Sequence, residues 1–179
     1  MCSMNCETAK SVSYTRLYTV AGISLVLDII TKSLIIHYVP KSYWGHSPIQ
    51  VIPGFFDIVH VHNEGAAWGI FSGYGIWLGI LGAVAIVAIF KFRKDLELHK
   101  PQMQIAFGML IGGIAGNVID RILYGHVIDF IDIYHNDYHW PAFNIADSSI
   151  TLGVACYIII TIMDAKNSAK SETCNTTDS

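Results

Sequence analysis

Residues 111–151 read IGGIAGNVIDRILYGHVIDFIDIYHNDYHWPAFNIADSSIT, a stretch that sets polar side chains between two apolar runs. Its amides, carboxylates and guanidinium are Asn117, Asp120, Arg121, Asp129, Asp132, Asn144 and Asp147. Hydrocarbon solvates such groups poorly, so polar side chains at the edges of membrane spans are candidates for a functional site. The rest of the chain is interpreted as what brings two of these carboxylates near each other.

The composition indicates a small protein that crosses a membrane several times. The chain has 179 residues, of which 53% are hydrophobic and 14% are charged, and its mean hydropathy is +0.45. A soluble domain carries more charge than this. The net charge of -3 argues against nucleic acid as a partner. The cysteines fit neither a zinc pattern nor a disulfide framework, and the sequence predicts no metal and no cofactor.

Four apolar runs predict a polytopic α-helical membrane protein with four transmembrane helices, since a spanning helix needs roughly 20 residues. The predicted spans are residues 17–39, 75–92, 103–124 and 146–163, and the long connections between them are residues 40–74 and 125–145.

Two of the predicted spans carry features that suggest close packing around polar groups. Gly108, Gly112 and Gly116 fall four apart, which gives the third span a small-residue face against a neighbouring helix. In the first span, Asp28 and Lys32 are four residues apart and could pair on one helix face. Charges this deep usually face protein or water, which indicates a role in supporting a site.

The first long connection contains β-branched and aromatic residues. Residues 52–63, IPGFFDIVHVHN, alternate in part and predict short strands. His60 and His62 would lie on one strand face, a weak metal signal, and they are interpreted as non-ligands. The following NEGAAWG segment has small residues that permit close backbone approach.

The distribution of basic residues predicts the orientation of the spans. The two terminal tails and the loop at residues 91–100 carry basic residues, whereas residues 40–74 contain only Lys41 and residues 125–145 contain no Lys or Arg. Both termini are therefore expected in the cytoplasm, with both long connections on the opposite side. Asp129 and Asp147 then lie at the same non-cytoplasmic surface.

Two neighbouring carboxylates can perform acid–base chemistry without a metal. At a separation of about 4 Å they repel by roughly 4 kcal/mol, or about 3 pK units, so one retains a proton near neutral pH. The ionised group can then activate water while the protonated one donates to a carbonyl oxygen. The alternative is that both acids are helix caps, and Asp147 lies where it would stabilise the start of the fourth helix.

Two other classes of protein fit parts of this pattern. Intramembrane Asp, Arg and Asn also mark the pathways of ion- or proton-coupled transporters, but no inverted repeat relates the two halves of the chain. A non-catalytic scaffold built on the glycine faces is the third interpretation, and it leaves the two interfacial acids without a role.

Several ordered blocks resemble one protein family. The segments GNVIDR (116–121), VIDFID (127–132) and WPAFNIADSSITLG (140–153) closely resemble the signature blocks of the type II, or lipoprotein, signal peptidases. NEGAAWG (63–69) is similar to the loop block of that family, with Trp68 where Phe is common. The block from Asp28 to Lys32 is similar too, with Ile29 in place of a usual Gln.

The resemblance implies an intramembrane aspartyl endopeptidase, a single integral domain of the bacterial inner membrane over residues 1–179. Such an enzyme removes the signal peptide of a prolipoprotein immediately before a cysteine that carries diacylglycerol. Its partners would be lipidated prolipoproteins and membrane lipids, and it would act as a monomer. The 40–74 connection would form a small β-rich cradle over the site. The implied catalytic dyad is Asp129 and Asp147, with supporting or substrate-binding residues Asn117, Arg121, Asn144, Asp120, Asn63 and Asp28.

Overall fold

Four helices and four strands form the parts of the chain that this computed structural model describes, residues 12–41, 49–65 and 70–177, with side chains up to residue 169. The elements in chain order are α1 (Thr15–Tyr38), β1 (Ile49–Ile52), β2 (Phe56–Asn63), α2 (Gly75–Lys91), α3 (Pro101–Tyr124), β3 (Val127–His135), β4 (Tyr138–His139) and α4 (Ile145–Thr177).

The four helices match the predicted spans at their starts to within two residues. Three of them, α1, α3 and residues 145–169 of α4, are long and apolar enough to cross a membrane. The fourth, α2, is apolar but has only 17 residues, roughly 26 Å of helix, which is a little less than a hydrocarbon core of about 30 Å. The predicted polytopic helical architecture is confirmed.

The last helix continues well beyond the predicted end of its span at residue 163. Residues 164–177 are mostly polar, so the hydropathy pattern predicts that the span ends before them. They contain neither Gly nor Pro, which are the residues that commonly end a helix. Ala, Lys and Glu in this segment are good helix formers. The helix therefore ends well after the predicted end of the membrane span.

Glycines allow α3 to occupy the centre of the bundle, where it packs against α1, α2 and α4. A Cβ atom on Gly112 would lie 2.5 Å from the backbone oxygen of Ala21 in α1. A Cβ on Gly113 would overlap the backbone oxygen of Ala146 in α4. Backbones can approach this closely only where side chains are absent, as the predicted small-residue face requires. As a result, Asp28 of α1 and Ala146 at the start of α4 both lie against Gly116.

One antiparallel sheet in the order β1-β2-β3-β4 lies against the helix ends. The predicted strands in residues 52–63 are confirmed as β2 and the end of β1. The cradle is nevertheless built from both long connections, because β3 pairs along β2, with Val61 opposite Asp129 and Asn63 opposite Val127. The predicted strands of the 40–74 connection are thus present, and β3 of the second long connection extends the cradle. Trp68 and the other residues of 66–69 lie outside the described residues.

The strand that sequence patterning missed is buried on both faces at its start. Val127, Ile128, Asp129 and Phe130 are all buried, so the alternation expected of a half-buried strand is absent. Ile128 and Phe130 pack with Ile35 and Val39 at the end of α1 in one hydrophobic cluster. This cluster fixes the sheet to the bundle and with it the position of Asp129.

The outward faces of the helices are apolar. Ile76 and Trp77 on α2 and Ile122 on α3 are among the exposed large hydrophobic side chains, with Ile122 at 74% exposure. Many more lie along α1 and α4. A contiguous apolar surface of this kind suits hydrocarbon, and the backbone groups of the helices are satisfied internally as a bilayer requires.

Candidate active site

Asp129 and Asp147 come together at one residue, Asn144. The Asn144 side-chain amide donates to Asp129 Oδ1 at 2.7 Å, and its backbone N–H donates to Asp147 Oδ2 at 3.2 Å. Asp129 lies on β3 and Asp147 in the first turn of α4, so the contact joins the sheet to the bundle. The structure thus brings the two predicted acids to one site.

Asp147 is held by the start of α4. Asn144 precedes the helix and its Oδ1 accepts the backbone N–H of Asp147 at 2.9 Å, while Asp147 Oδ2 accepts the backbone N–H of Asn144. This reciprocal arrangement is a capping box. The predicted role of Asp147 as a helix cap is therefore confirmed, but capping uses only one of its two carboxylate oxygens, Oδ2. The other, Oδ1, accepts from Asn117 Nδ2 at 2.7 Å, and Asp147 lines a cavity.

Asp129 is buried, with 2% of its surface exposed. Its Oδ2 accepts from Asn63 Nδ2 at 2.9 Å. Burial, with the nearby Asp147 carboxylate, raises the pKa of Asp129 to about 7, against the opposing hydrogen bonds from Asn63 and Asn144. A carboxyl with that pKa retains its proton in a large share of molecules at neutral pH, which is the asymmetry that paired acids need for acid–base chemistry.

Obligate donors fix the orientation of all three asparagine amides at the site. The Oδ1 of Asn63 accepts the backbone N–H of Gly65 at 3.0 Å. The Oδ1 of Asn117 accepts from Lys32 Nζ at 3.1 Å. Backbone N–H and ammonium groups only donate, so each amide must turn its oxygen to them and its NH2 to a carboxylate. The same holds for Asn144, whose oxygen faces the Asp147 N–H.

A second group of charges lies behind the two acids and away from the cavity lining. Lys32 Nζ is 2.7 Å from Asp28 Oδ2 and 2.8 Å from Asp120 Oδ2, with all three side chains buried. The predicted pair of Asp28 and Lys32 is confirmed. Asp28 Oδ1 also accepts the backbone N–H of Ala146 at 2.8 Å, and Asp120 accepts that of Ile128 at 3.2 Å. These acids therefore join α1 and α3 to α4 and β3.

Arg121 fastens the loop that carries Asn63. Its Nη2 donates to the backbone oxygen of Gly65 at 2.9 Å, and its Nη1 donates to that of Asn117 at 3.2 Å. The guanidinium thereby connects α3 to the segment after β2 and lies in the wall of the cavity. All eight predicted site residues belong to one connected region.

The histidines of β2 lie on one strand face, as predicted, with ring centroids 5.2 Å apart. His60 Nδ1 is hydrogen-bonded to the backbone oxygen of Val39, and His62 stacks on His126 at 3.7 Å. Burial, with the positive potential of His126 and Lys41, lowers the pKa of His62 to about 4. This imidazole is therefore neutral at physiological pH.

A cavity of about 630 Å³ is lined by Asp147, whereas Asp129 is buried and is not among the lining residues. Its polar end carries Asn63, Asn117, Arg121 and Asp147, and its remaining walls are Gly65, Val127, Trp140, Pro141, Ala142, Phe143, Ser148, Thr151 and Leu152. It follows α4 from the first turn into the apolar part of the helix. A cavity with a few polar groups at one end and apolar walls suits an extended, largely apolar ligand.

Comparison with known proteins gives a consistent result along most of the chain. Residues 20–163 match the profile of the family described as signal peptidase (SPase) II. The chain is 37% identical over 151 residues to a lipoprotein signal peptidase of Syntrophus aciditrophicus, covering 82% of this chain and 91% of the relative. It is 38% identical over 157 residues to one from Solibacter usitatus, covering 85% and 93%.

Two solved structures are similar to this fold. Both are described as bacterial membrane enzymes solved by the in meso method, at 2.3 and 1.9 Å resolution. The first superposes with a TM-score of 0.75 at 36% identity, covering 84% of this chain and 90% of that one. The second has a TM-score of 0.70 at 36% identity, covering 83% and 93%.

Proposed function

Because this chain belongs to the signal peptidase II family, we propose that Asp129 and Asp147 are the catalytic dyad with which it cuts its substrates. The family removes signal peptides from prolipoproteins, and the chain is a peptidase of this aspartic class. The observation that supports this assignment is Asn144, which hydrogen-bonds both carboxyls, and one of these, Asp147, lines a large cavity.

The surroundings of the two acids assign their roles in the proposed mechanism. Asp129 starts with the proton, since its pKa is raised to about 7. Asp147 is the carboxylate, which the N-terminus of α4 favours. Asp147 takes a proton from water as the water oxygen attacks the scissile carbonyl carbon, and Asp129 donates its proton to the carbonyl oxygen. In the resulting tetrahedral diol, Asp147 gives its new proton to the amide nitrogen while Asp129 takes a proton from one hydroxyl, so the carbonyl re-forms, the C–N bond breaks and both acids return to their starting states.

The position of the dyad suits cleavage at the membrane surface. The two acids lie where the apolar helices end and the sheet begins. Irregular backbone at this depth is tolerated because protein covers it. We assign as substrate a prolipoprotein whose cysteine carries diacylglycerol, cut immediately before that cysteine, since the lipid would anchor one side of the scissile bond and the signal helix the other.

This assignment predicts a strong dependence on the lipid. Purified protein should cleave a diacylglyceryl-modified prolipoprotein at least about 100-fold faster than the unmodified precursor, because fixing the cysteine at the interface removes most of the positional freedom of the reacting bond. The measurement is kcat/KM for both precursors, with product mass to locate the cut. Equal values would contradict the proposed specificity.

We also propose the orientation that the basic residues indicate, with both termini in the cytoplasm and the dyad at the opposite face. In a variant without native cysteines, Asp137→Cys in the exposed turn after β3 should react with a membrane-impermeant thiol reagent in intact cells. Lys94→Cys in the exposed loop after α2 should react only after permeabilisation. The reverse pattern would invert the proposed topology.

One chain supplies the whole proposed site. The groups that hydrogen-bond Asp129 and Asp147 come from β2, α3 and the start of α4 of the same chain. This supports a monomer as the working unit. Lipid contact is likewise proposed from the exposed apolar side chains of the helices.

A further inference from the structure

Lys32 makes three short polar contacts and none of them is with the cavity. Its Nζ lies 2.7 Å from Asp28 Oδ2, 2.8 Å from Asp120 Oδ2 and 3.1 Å from Asn117 Oδ1. An ammonium has three donors, so all of them are used. Lys32 is 2% exposed and is not among the residues that line the cavity. Lys32 can therefore influence the reaction only through its neighbours or through its charge.

The contact with Asn117 has a direct consequence for Asp147. Because Lys32 can only donate, it holds the amide oxygen of Asn117 and leaves the NH2 group to donate to Asp147 Oδ1 at 2.7 Å. Without Lys32, only the longer contact from Asn144 Nδ2 at 3.4 Å holds this oxygen, so the Asn117 amide can turn and present its oxygen to the carboxylate. Asp147 would then lose a hydrogen bond and face the negative end of the amide dipole. Both changes matter more in the low dielectric of a protein interior than in water.

The charges around the dyad also indicate that Lys32 affects its ionisation. The positive charges that act on the two acids are Lys32 from α1 and Arg121 from α3. The carboxylates of Asp28 from α1 and Asp120 from α3 lie against Lys32 Nζ. With one proton shared by the dyad, three carboxylates face two cations, Lys32 and Arg121. Loss of Lys32 leaves three carboxylates with one cation, which disfavours ionisation of the dyad.

We propose that Lys32 is a positioning residue for the dyad, turning the Asn117 amide toward Asp147 and supplying the positive charge that keeps the pair singly ionised. This inference rests on the proposed dyad of Asp129 and Asp147. It gives the buried charge in α1 a role beyond the neutralisation of Asp28. It also explains why Asn117, rather than Lys32 itself, contacts the acid.

The test is the pH profile of full-length Lys32→Met on a lipidated prolipoprotein. The profile of kcat/KM should move toward higher pH by about one unit, since a nearby cation favours the ionised acid. The maximal kcat should fall about tenfold because Asn117 is no longer held, with KM nearly unchanged. A purely structural role would lower the amount of active protein at every pH equally. A folded Lys32→Met with an unshifted profile would overturn the proposal.

Two further variants separate folding, charge and orientation. Lys32→Gln keeps an NH2 donor on a similar stem, so it replaces Lys32→Met if that protein does not fold. It should show the pH shift with a smaller loss of kcat. Asp120→Asn disturbs the same buried cluster but keeps the contact of Lys32 with Asn117, and its profile should not move to higher pH. A shift to higher pH as large as that of Lys32→Met would refute the specific role of the cation.

The two levels of the proposal fail in different ways. If Asp129→Asn retains turnover, the dyad itself is wrong. If Asp129→Asn is inactive and the Lys32 variants keep the original profile, only the role of Lys32 is wrong.

Discussion

Asp129→Asn and Asp147→Asn are each expected to lower kcat on a lipidated prolipoprotein by at least about 1000-fold, because each leaves one half of the proposed acid–base pair, whose members would work as a unit. Asparagine keeps the shape of the side chain and removes the charge and the proton. Thermal unfolding and substrate affinity should change much less than kcat. The measurement is turnover at matched protein concentration, with binding followed separately on uncleaved substrate.

The double variant and a neighbouring carboxylate complete this test. Asp129→Asn combined with Asp147→Asn should be little worse than either single change, since losses within one unit do not add. Asp132→Asn is the matched control, because Asp132 lies on the same strand but its carboxylate pairs with His139 at 2.9 Å, away from the dyad. It should keep substantial activity. Turnover near the wild-type level by either dyad variant would remove that residue from the proposed mechanism.

The helical part of the fold was predictable because hydrocarbon imposes a simple rule on sequence. A span must be apolar over roughly 20 residues, and the starts of all four helices follow from that rule. The spacing of glycines on α3 predicted close packing in a similar way, because two helix backbones can touch only where no side chain separates them. The continuation of α4 past residue 163 was missed because hydropathy reports where a membrane ends and not where a helix ends.

The sequence predicted which residues belong to the site better than it predicted the contacts between them. Spacing of four residues determines that Asp28 and Lys32 share a helix face. The contact of Lys32 with Asn117 joins residues 85 positions apart, and only the packing of α1 on α3 decides it. Strand β3, which carries Asp129, was not predicted from the sequence. Both of its faces are buried at the start, so the polar and apolar residues do not alternate there. Asp147 illustrates a further limit, since its sequence position fitted a helix cap and a catalytic acid, and the structure has it in a capping box within the site.

The arrangement also bears on the two other classes of protein considered from sequence. The side chains of the predicted site form one connected group, of which Asn63, Asn117, Arg121 and Asp147 line a cavity, whereas a transporter needs access from both sides to a site near the midplane. A scaffold built on glycine faces would not require three asparagines oriented toward two acids. The peptidase of the signal peptidase II family accounts for both observations.

Asn144 is the residue whose two tasks can be separated most cleanly. It is fully buried and caps α4 with its Oδ1, while its Nδ2 donates to Asp129 Oδ1. Serine is as good a cap as asparagine, but it has no NH2 group to reach Asp129. Asn144→Ser therefore keeps the start of α4 and removes one donor from the proposed dyad.

The expected result for Asn144→Ser is a fall in kcat of about 100-fold or more, the size of effect seen when one preorganised donor is removed from an active site. Stability should fall by only about 1–3 kcal/mol for the acceptors left without a partner, which thermal unfolding will measure. Asn167→Ser, at an exposed position on the same helix, should change neither quantity. If Asn144→Ser retained near wild-type kcat while losing stability, Asn144 would be a cap alone, and the hydrogen bond to Asp129 would have no part in the reaction.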